Sequence, residues 1–291
     1  MLRPLAALLL IMPLLAAGEA ARGERVFVCA HSFMTFIANM LPPLAQAGGD
    51  GFSLAGHQMI GGSQVIQHWN LPGDKAKPSL QAGLVDTLIL SPTVQLPDAG
   101  IDNYARLGCA ANPKLRILVQ ASWPAFDDAS STDLEGFLAR SRRFRNEDRN
   151  AATAASLQAM LDWQRTGWCS RLQQQVAALN RELGREALRI VPVNEAVFAL
   201  RQRVLAGTAP GLAKQTDLFK DPIGHPTQAL CALVAYCHYA ALFGRSPEGL
   251  PPPVRLPSAD LNPVLQRIAW DAVRPASAPS PASTGGQRTQ R

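Results

Sequence analysis

The segment RVFVCAHSFMTFIANML, residues 25–41, changes its periodicity partway along. Arg25 to Ala30 form a short β-type run, and beyond Ser32 the apolar residues Phe33, Phe36, Ile37, Met40 and Leu41 recur at steps of three and four, as one face of a helix requires. A strand therefore leads into a helix at Ser32, with Pro42, Pro43, Gly48 and Gly49 expected to end it. Outward from this pair, residues 52–58, 85–90, 115–120 and 188–193 read as four further strands with helical segments between them. Strands alternating with helices indicate a parallel sheet, so the expected architecture is an α/β/α three-layer sandwich with five parallel strands, flavodoxin-like in layout. The longest helical signal covers residues 153–183, and the last strong one, 227–243, is apolar nearly all round and so should be buried.

Composition supports a globular chain, with 47% hydrophobic and 17% charged residues among 291. Residues 1–20 combine Arg3, an apolar run and small residues near Ala20, the pattern of a cleavable signal peptide, which implies export to the periplasm or medium and no spanning segment afterwards. One domain is expected over residues 25–272, and the Pro-, Ser- and Gly-rich end, 273–291, is expected to be a disordered tail. The net charge of +6 lies partly on Arg3, Arg288 and Arg291, outside the domain, so nucleic acid is not an expected partner. Arg140, Arg142, Arg143, Arg145 and Arg149 mix with Glu147 and Asp148 and read as a solvated face, within a long polar stretch from Ala125 to Asn150 that suits a lid. The five cysteines are scattered without a CxxC pair, and His57 and His68 have no third ligand in view, so neither a disulfide framework nor a metal site is implied.

Two segments carry chemistry. Ser32 falls at the carboxyl edge of the first strand, where open α/β sheets gather their active residues, although serine is also an ordinary N-cap. Asp221, Pro222, Ile223, Gly224, His225 and Pro226 stand directly before the buried final helix. There Asp221 can hold one ring nitrogen of His225 and leave the other as a general base. Gly61 and Gly62 read either as a tight turn or as a backbone donor. His31 is read as a pocket or capping residue, Cys29 as buried within the strand, and Trp123 either as a substrate platform or as closure of the core.

Ser32 in AHSFM, Gly61 or Gly62 in MIGGS, and Asp221 with His225 in DPIGHP together resemble the SGNH/GDSL hydrolase family over most of residues 25–250. The resemblance implies a nucleophile at Ser32, a glycine donor after strand two, and an acid and base at Asp221 and His225. Here Ala30-His31-Ser32 replaces the family's Gly-Asp-Ser, and acid and base stand four apart, not three. Where the family has an asparagine after strand three, the chain reads SPTVQLPD, leaving Thr93 or Gln95 as polar substitutes in the oxyanion hole. The implied activity is hydrolysis of an ester, such as an O-acyl group of a carbohydrate or another small acyl ester, with no cofactor and no metal. Two alternatives use the same fold: an inactive glycan- or surface-binding protein, and an O-acyltransferase.

Overall fold

The computed structural model describes residues 23–127, 139, 140 and 142–274. Five strands, β1 (Glu24–Ala30), β2 (Phe52–Met59), β3 (Thr87–Leu90), β4 (Arg116–Gln120) and β5 (Leu188–Val191), pair in parallel in the order β2-β1-β3-β4-β5. This is the flavodoxin-like order, whose reversal of direction leaves a crevice at the carboxyl ends of β1 and β3. Helices cover both faces of the sheet, and alternation within the strands sorts their side chains between two cores. Val26, Val28 and Ala30 join one core with Ile89 and Leu118, whereas Phe27 and Cys29 join the other with Leu88, Leu90 and Ile117. Cys29 thus lies buried within the pleat, and burial pushes its thiol well above the ordinary range.

The first core is closed by α1 (Ile37–Gly48), α7 (Val193–Leu205), α8 (Gln228–Phe243) and α9 (Leu261–Val273). On the opposite face lie α2 (Val65–Trp69), α3 (Ala76–Gln81), α4 (Ala99–Ala111) and α6 (Ser170–Glu182), and α5 (Ala154–Gln164) packs mainly against α7. The architecture is therefore the three-layer α/β/α sandwich expected. Helix α8 is buried on almost every side, as its composition requires. Among the described residues no helix is long and apolar enough to cross a membrane.

Local details differ from the sequence reading for identifiable reasons. Helix α1 starts at Ile37, five residues after Ser32, because the chain first makes a turn through residues 32–36, closed by Met34 N–H on His31 O (2.9 Å). The helix then runs through Pro42 and Pro43 to Gly48. Burial of Ile37, Leu41 and Leu44, at ~1.5–3 kcal/mol per side chain, outweighs the lost backbone hydrogen bonds. The long helical signal is two helices, α5 and α6, joined by a π turn, Arg165–Cys169. The sequence reading also missed α9, whose Leu261, Leu265, Ile268 and Ala269 cover α8. The expected leader, residues 1–20, lies outside the described residues, as does most of the expected tail. Val273, at the start of that tail, instead closes α9 and is buried.

Candidate active site

The turn after β1 is pinned from below. Gln120, at the end of β4, donates through Nε2 to Phe33 O (3.4 Å) and Ser122 Oγ (2.7 Å), and its Oε1 accepts from His238 Nε2 (2.8 Å) on α8. Burial lowers His238 to about 3, so the ring is neutral and belongs to the scaffold. His31 is also buried, accepts the Phe33 N–H at Nδ1 (3.3 Å), and is lowered to about 4 by desolvation. Its ring thereby braces the backbone that presents Ser32.

Ser32 and His225 meet across 193 positions of sequence. The Ser32 hydroxyl donates to His225 Nε2 at 2.9 Å, and His225 Nδ1–H donates to Asp221 Oδ2 at 2.6 Å. The carboxylate can only accept, which fixes the tautomer with its proton on Nδ1 and leaves Nε2 as the acceptor. Asp221 also accepts the backbone N–H groups of Gly224 (3.0 Å) and His225 (3.2 Å). Partial burial pushes the Asp221 carboxyl up, but the hydrogen bonds from the His225 ring and backbone outweigh that push and hold it below its ordinary value. The His225 ring meets the edge of Phe33 at 5.6 Å, and Phe33 stacks on Trp123 at 4.6 Å.

The loop that carries Asp221 and His225 is fastened by Arg149. Its guanidinium donates to Pro222 O (2.8 Å), Ala125 O (2.7 Å), Asp127 Oδ1 (2.9 Å) and Asn146 Oδ1 (3.1 Å), with Phe219 beneath it at 4.3 Å. Asp127 is shared with Arg201 of α7. Arg149 is fully buried, which corrects the reading of this basic run as a wholly solvated face. Apart from Asn146, its partners come from loops distant in sequence and left no local signature. Burial lowers its guanidinium to about 10, still charged at neutral pH. Arg142, Arg143 and Arg145 are exposed, whereas residues 128–138 and 141 of the expected lid lie outside the described residues.

Ser32 opens on a cleft of about 470 Å³. Gly62, Thr93, Gln95 and Trp123 all line it, but Gly61 does not. Gly62 adopts φ +64° in an exposed turn, the conformation that favours glycine, so the tight-turn reading applies to it. Trp123 is 3% exposed and donates to Gly224 O (3.1 Å), so it closes the core beside the cleft. Gln64, Trp163, Gln164 and Trp168, none of them singled out from the sequence, also line the cleft. The Gln64 amide, turned to satisfy both of its ends, accepts from Gln95 N–H (3.1 Å) and donates to Asp98 Oδ2 (3.3 Å), tying the loops after β2 and β3 together. Asp98 also caps α2 and α4 by accepting from Val65 (2.6 Å), Ile66 (2.9 Å) and Gly100 (2.9 Å).

The other sequence candidates sit elsewhere. His57 is exposed on the edge strand β2, and His68 is sealed against Ser63 (2.8 Å). Among the described residues no group of three His, Cys, Asp or Glu is arranged to hold a metal ion. All five cysteines are free thiols.

Fold and site geometry together define an α/β/α sandwich with a Ser–His–Asp array at its switch point. No known family pattern matches the chain, and no curated protein is similar to it. Among solved structures, a DUF4886 family protein from Bacteroides uniformis ATCC 8492 has a similar fold, with a TM-score of 0.51 at 13% identity over 86% of this chain and 94% of that one. A protein from Slackia heliotrinireducens, described provisionally as an SGNH hydrolase, aligns with a TM-score of 0.40 at 16% identity over 76% of this chain and 100% of that one. The first of these likenesses is one of fold alone.

Proposed function

We propose that the protein is a serine hydrolase of ester bonds, with Ser32 as nucleophile, His225 as general base and acid, and Asp221 as the group that orients the ring. The observation that carries this reading is the unbroken hydrogen-bond path from Ser32 Oγ through His225 to Asp221, starting at a serine that lines the cleft. Attack of Oγ on the ester carbonyl carbon passes the hydroxyl proton to Nε2. The imidazolium so formed is stabilised by Asp221, which stays ionised, and returns the proton to the departing alkoxide. Water then repeats the sequence on the acyl-enzyme, with His225 again taking the proton. The backbone N–H groups of Ser32 and Gly62 make no hydrogen bond among the described residues, and both residues line the cleft, which suits them to receive the oxyanion. Thr93 also lines the cleft and, in this reading, stands in for the asparagine of SGNH enzymes.

In this reading the substrate is a small-molecule or carbohydrate ester, no cofactor takes part, and residues 1–20 direct export. Labelling with a fluorophosphonate tests the centre of the proposal: modification is expected at Ser32 and should vanish in Ser32→Ala. An unlabelled wild-type chain would leave a binding protein on a hydrolase-like scaffold. Sequencing the amino terminus of the protein recovered from its host tests export, with cleavage expected near Ala20.

A further inference from the structure

One wall of the cleft is built at the joint between α5 and α6. A π turn adds a residue to the helical register and often marks a functional site. Here the turn Arg165–Cys169 follows directly on Gln164, and Trp163, Gln164 and Trp168 all line the cleft. Trp168 is held by donating to Thr93 O (2.8 Å). Gln164 is 4% exposed, and its Nε2 donates to Ser122 O at 2.7 Å, which fixes the orientation of the amide. Its Oε1 is buried and has no hydrogen-bond partner among the described residues. A buried acceptor without a donor is costly, and native sites that retain one commonly complete it with a ligand or water. Much of the remaining surface of the cleft is apolar, supplied by Phe33, Ile66, Val94, Trp123 and the two outer tryptophans.

We propose that the cleft takes the acyl side of the ester, an apolar chain bearing one hydroxyl or amide N–H, and that Gln164 Oε1 accepts the hydrogen bond from that group. The inference rests on the hydrolase reading only in naming the ligand as an acyl group. The cavity volume falls in the range of small-molecule sites, and because Ser32 lines the cleft, a carbonyl carbon held at its Oγ has the cleft available for the chain it carries. A plain alkyl chain would fill the apolar walls and leave the Gln164 acceptor unpaired. A chain with a donor satisfies both, so the site discriminates by that single group.

Binding to the full chain carrying Ser32→Ala, followed by tryptophan fluorescence, tests this without turnover. The probes are octanoate, 2-hydroxyoctanoate, 3-hydroxyoctanoate and N-hexanoylglycine. At least one donor-bearing probe is expected to bind about fivefold more tightly than octanoate, the worth of one net hydrogen bond. Which of them wins separates a hydroxyl from an amide. Adding Gln164→Leu should bring that ratio to about one while octanoate binds as well or better. Gln164→Met, which keeps the length of the side chain, repeats the measurement if the leucine variant does not melt cooperatively. Octanoate binding at least as tightly as all three, a preference that survives both Gln164 variants, or no binding at millimolar concentrations would each overturn the assignment. Fluorophosphonate labelling of the wild-type chain keeps the two readings apart: a labelled Ser32 without donor preference sinks this inference alone, and donor preference without labelling sinks the hydrolase alone.

Discussion

Two serine–histidine pairs of nearly equal length occur among the described residues, and only one of them has the surroundings of a catalytic pair. Ser32 Oγ and His225 Nε2 are 2.9 Å apart, and Ser63 Oγ and His68 Nε2 are 2.8 Å apart. Behind His225 stands Asp221, Ser32 lines the cleft, and about a third of the imidazole surface is exposed. His68 is fully buried, its Nδ1 has no partner among the described residues, and desolvation lowers it to about 4. Distance alone therefore does not identify a nucleophile and base. An anion on the far nitrogen and access for a carbonyl carbon make the difference, because the ring must become charged midway through the reaction.

Removing each serine in turn should separate the two pairs most widely. Ser32→Ala should lower hydrolysis of a p-nitrophenyl ester by about 10³-fold or more, to the residual rate left by binding and oxyanion donors. Ser63→Ala should change kcat/KM by less than about tenfold. Equal losses in the two variants would erase the distinction. Next in size, Asp221→Asn should reduce kcat by about 10²- to 10⁴-fold with little change in KM, since the amide can donate to Nδ1 and so favour the wrong tautomer. A kcat within threefold of wild type would show that the acid has no part in orienting the ring.

Smaller effects concern stability. His31 and His68 are lowered to about 4 and His238 to about 3, all by burial, from an ordinary 6.5. On acidification the unfolded chain therefore takes up these protons first, so the stabilising contribution is complete above about pH 6.5 and is lost progressively toward pH 4. With three such groups the slope of unfolding free energy should approach about 4 kcal/mol per pH unit within that window. Urea titrations at pH 7, 6, 5 and 4.5 measure it, and His68→Phe should make the slope shallower by about a third. A slope unchanged in that variant would mean that His68 is not kept neutral by burial. Smallest of all, Ser63→Ala strands the buried His68 nitrogen and should destabilise by about 1–3 kcal/mol, seen as a fall of several degrees in Tm. A neutral substitution would leave the second pair without even a structural role.

Much of the fold was legible because both faces of the sheet are covered. Apolar runs such as residues 25–30 and 115–120 carry their own signal, and a helix as uniformly apolar as α8 has nowhere to sit but the interior. Helix α9 was obscured by the prolines that precede it and by Pro263 within its first turn, where proline is tolerated. Ser32, Asp221 and His225 could be nominated from motif and strand position. Arg149, Gln64 and Gln164 could not, because what sets each apart is a set of partners from remote loops, and nothing in the flanking residues encodes those partners. The π turn was hidden for a related reason: its extra residue leaves a continuous helical pattern on either side.

The span of 193 residues between hydroxyl and imidazole also bears on the history of each molecule. Closing so long a segment costs little more entropy than closing one half its length, yet so non-local a contact repays that cost late in folding. Under the proposed mechanism, a chain interrupted anywhere before residue 225 would carry the attacking group and no base, and would be chemically silent. Recovery of turnover during refolding would thus lag behind recovery of helical signal, and the size of that lag would time the docking of α8 against the sheet.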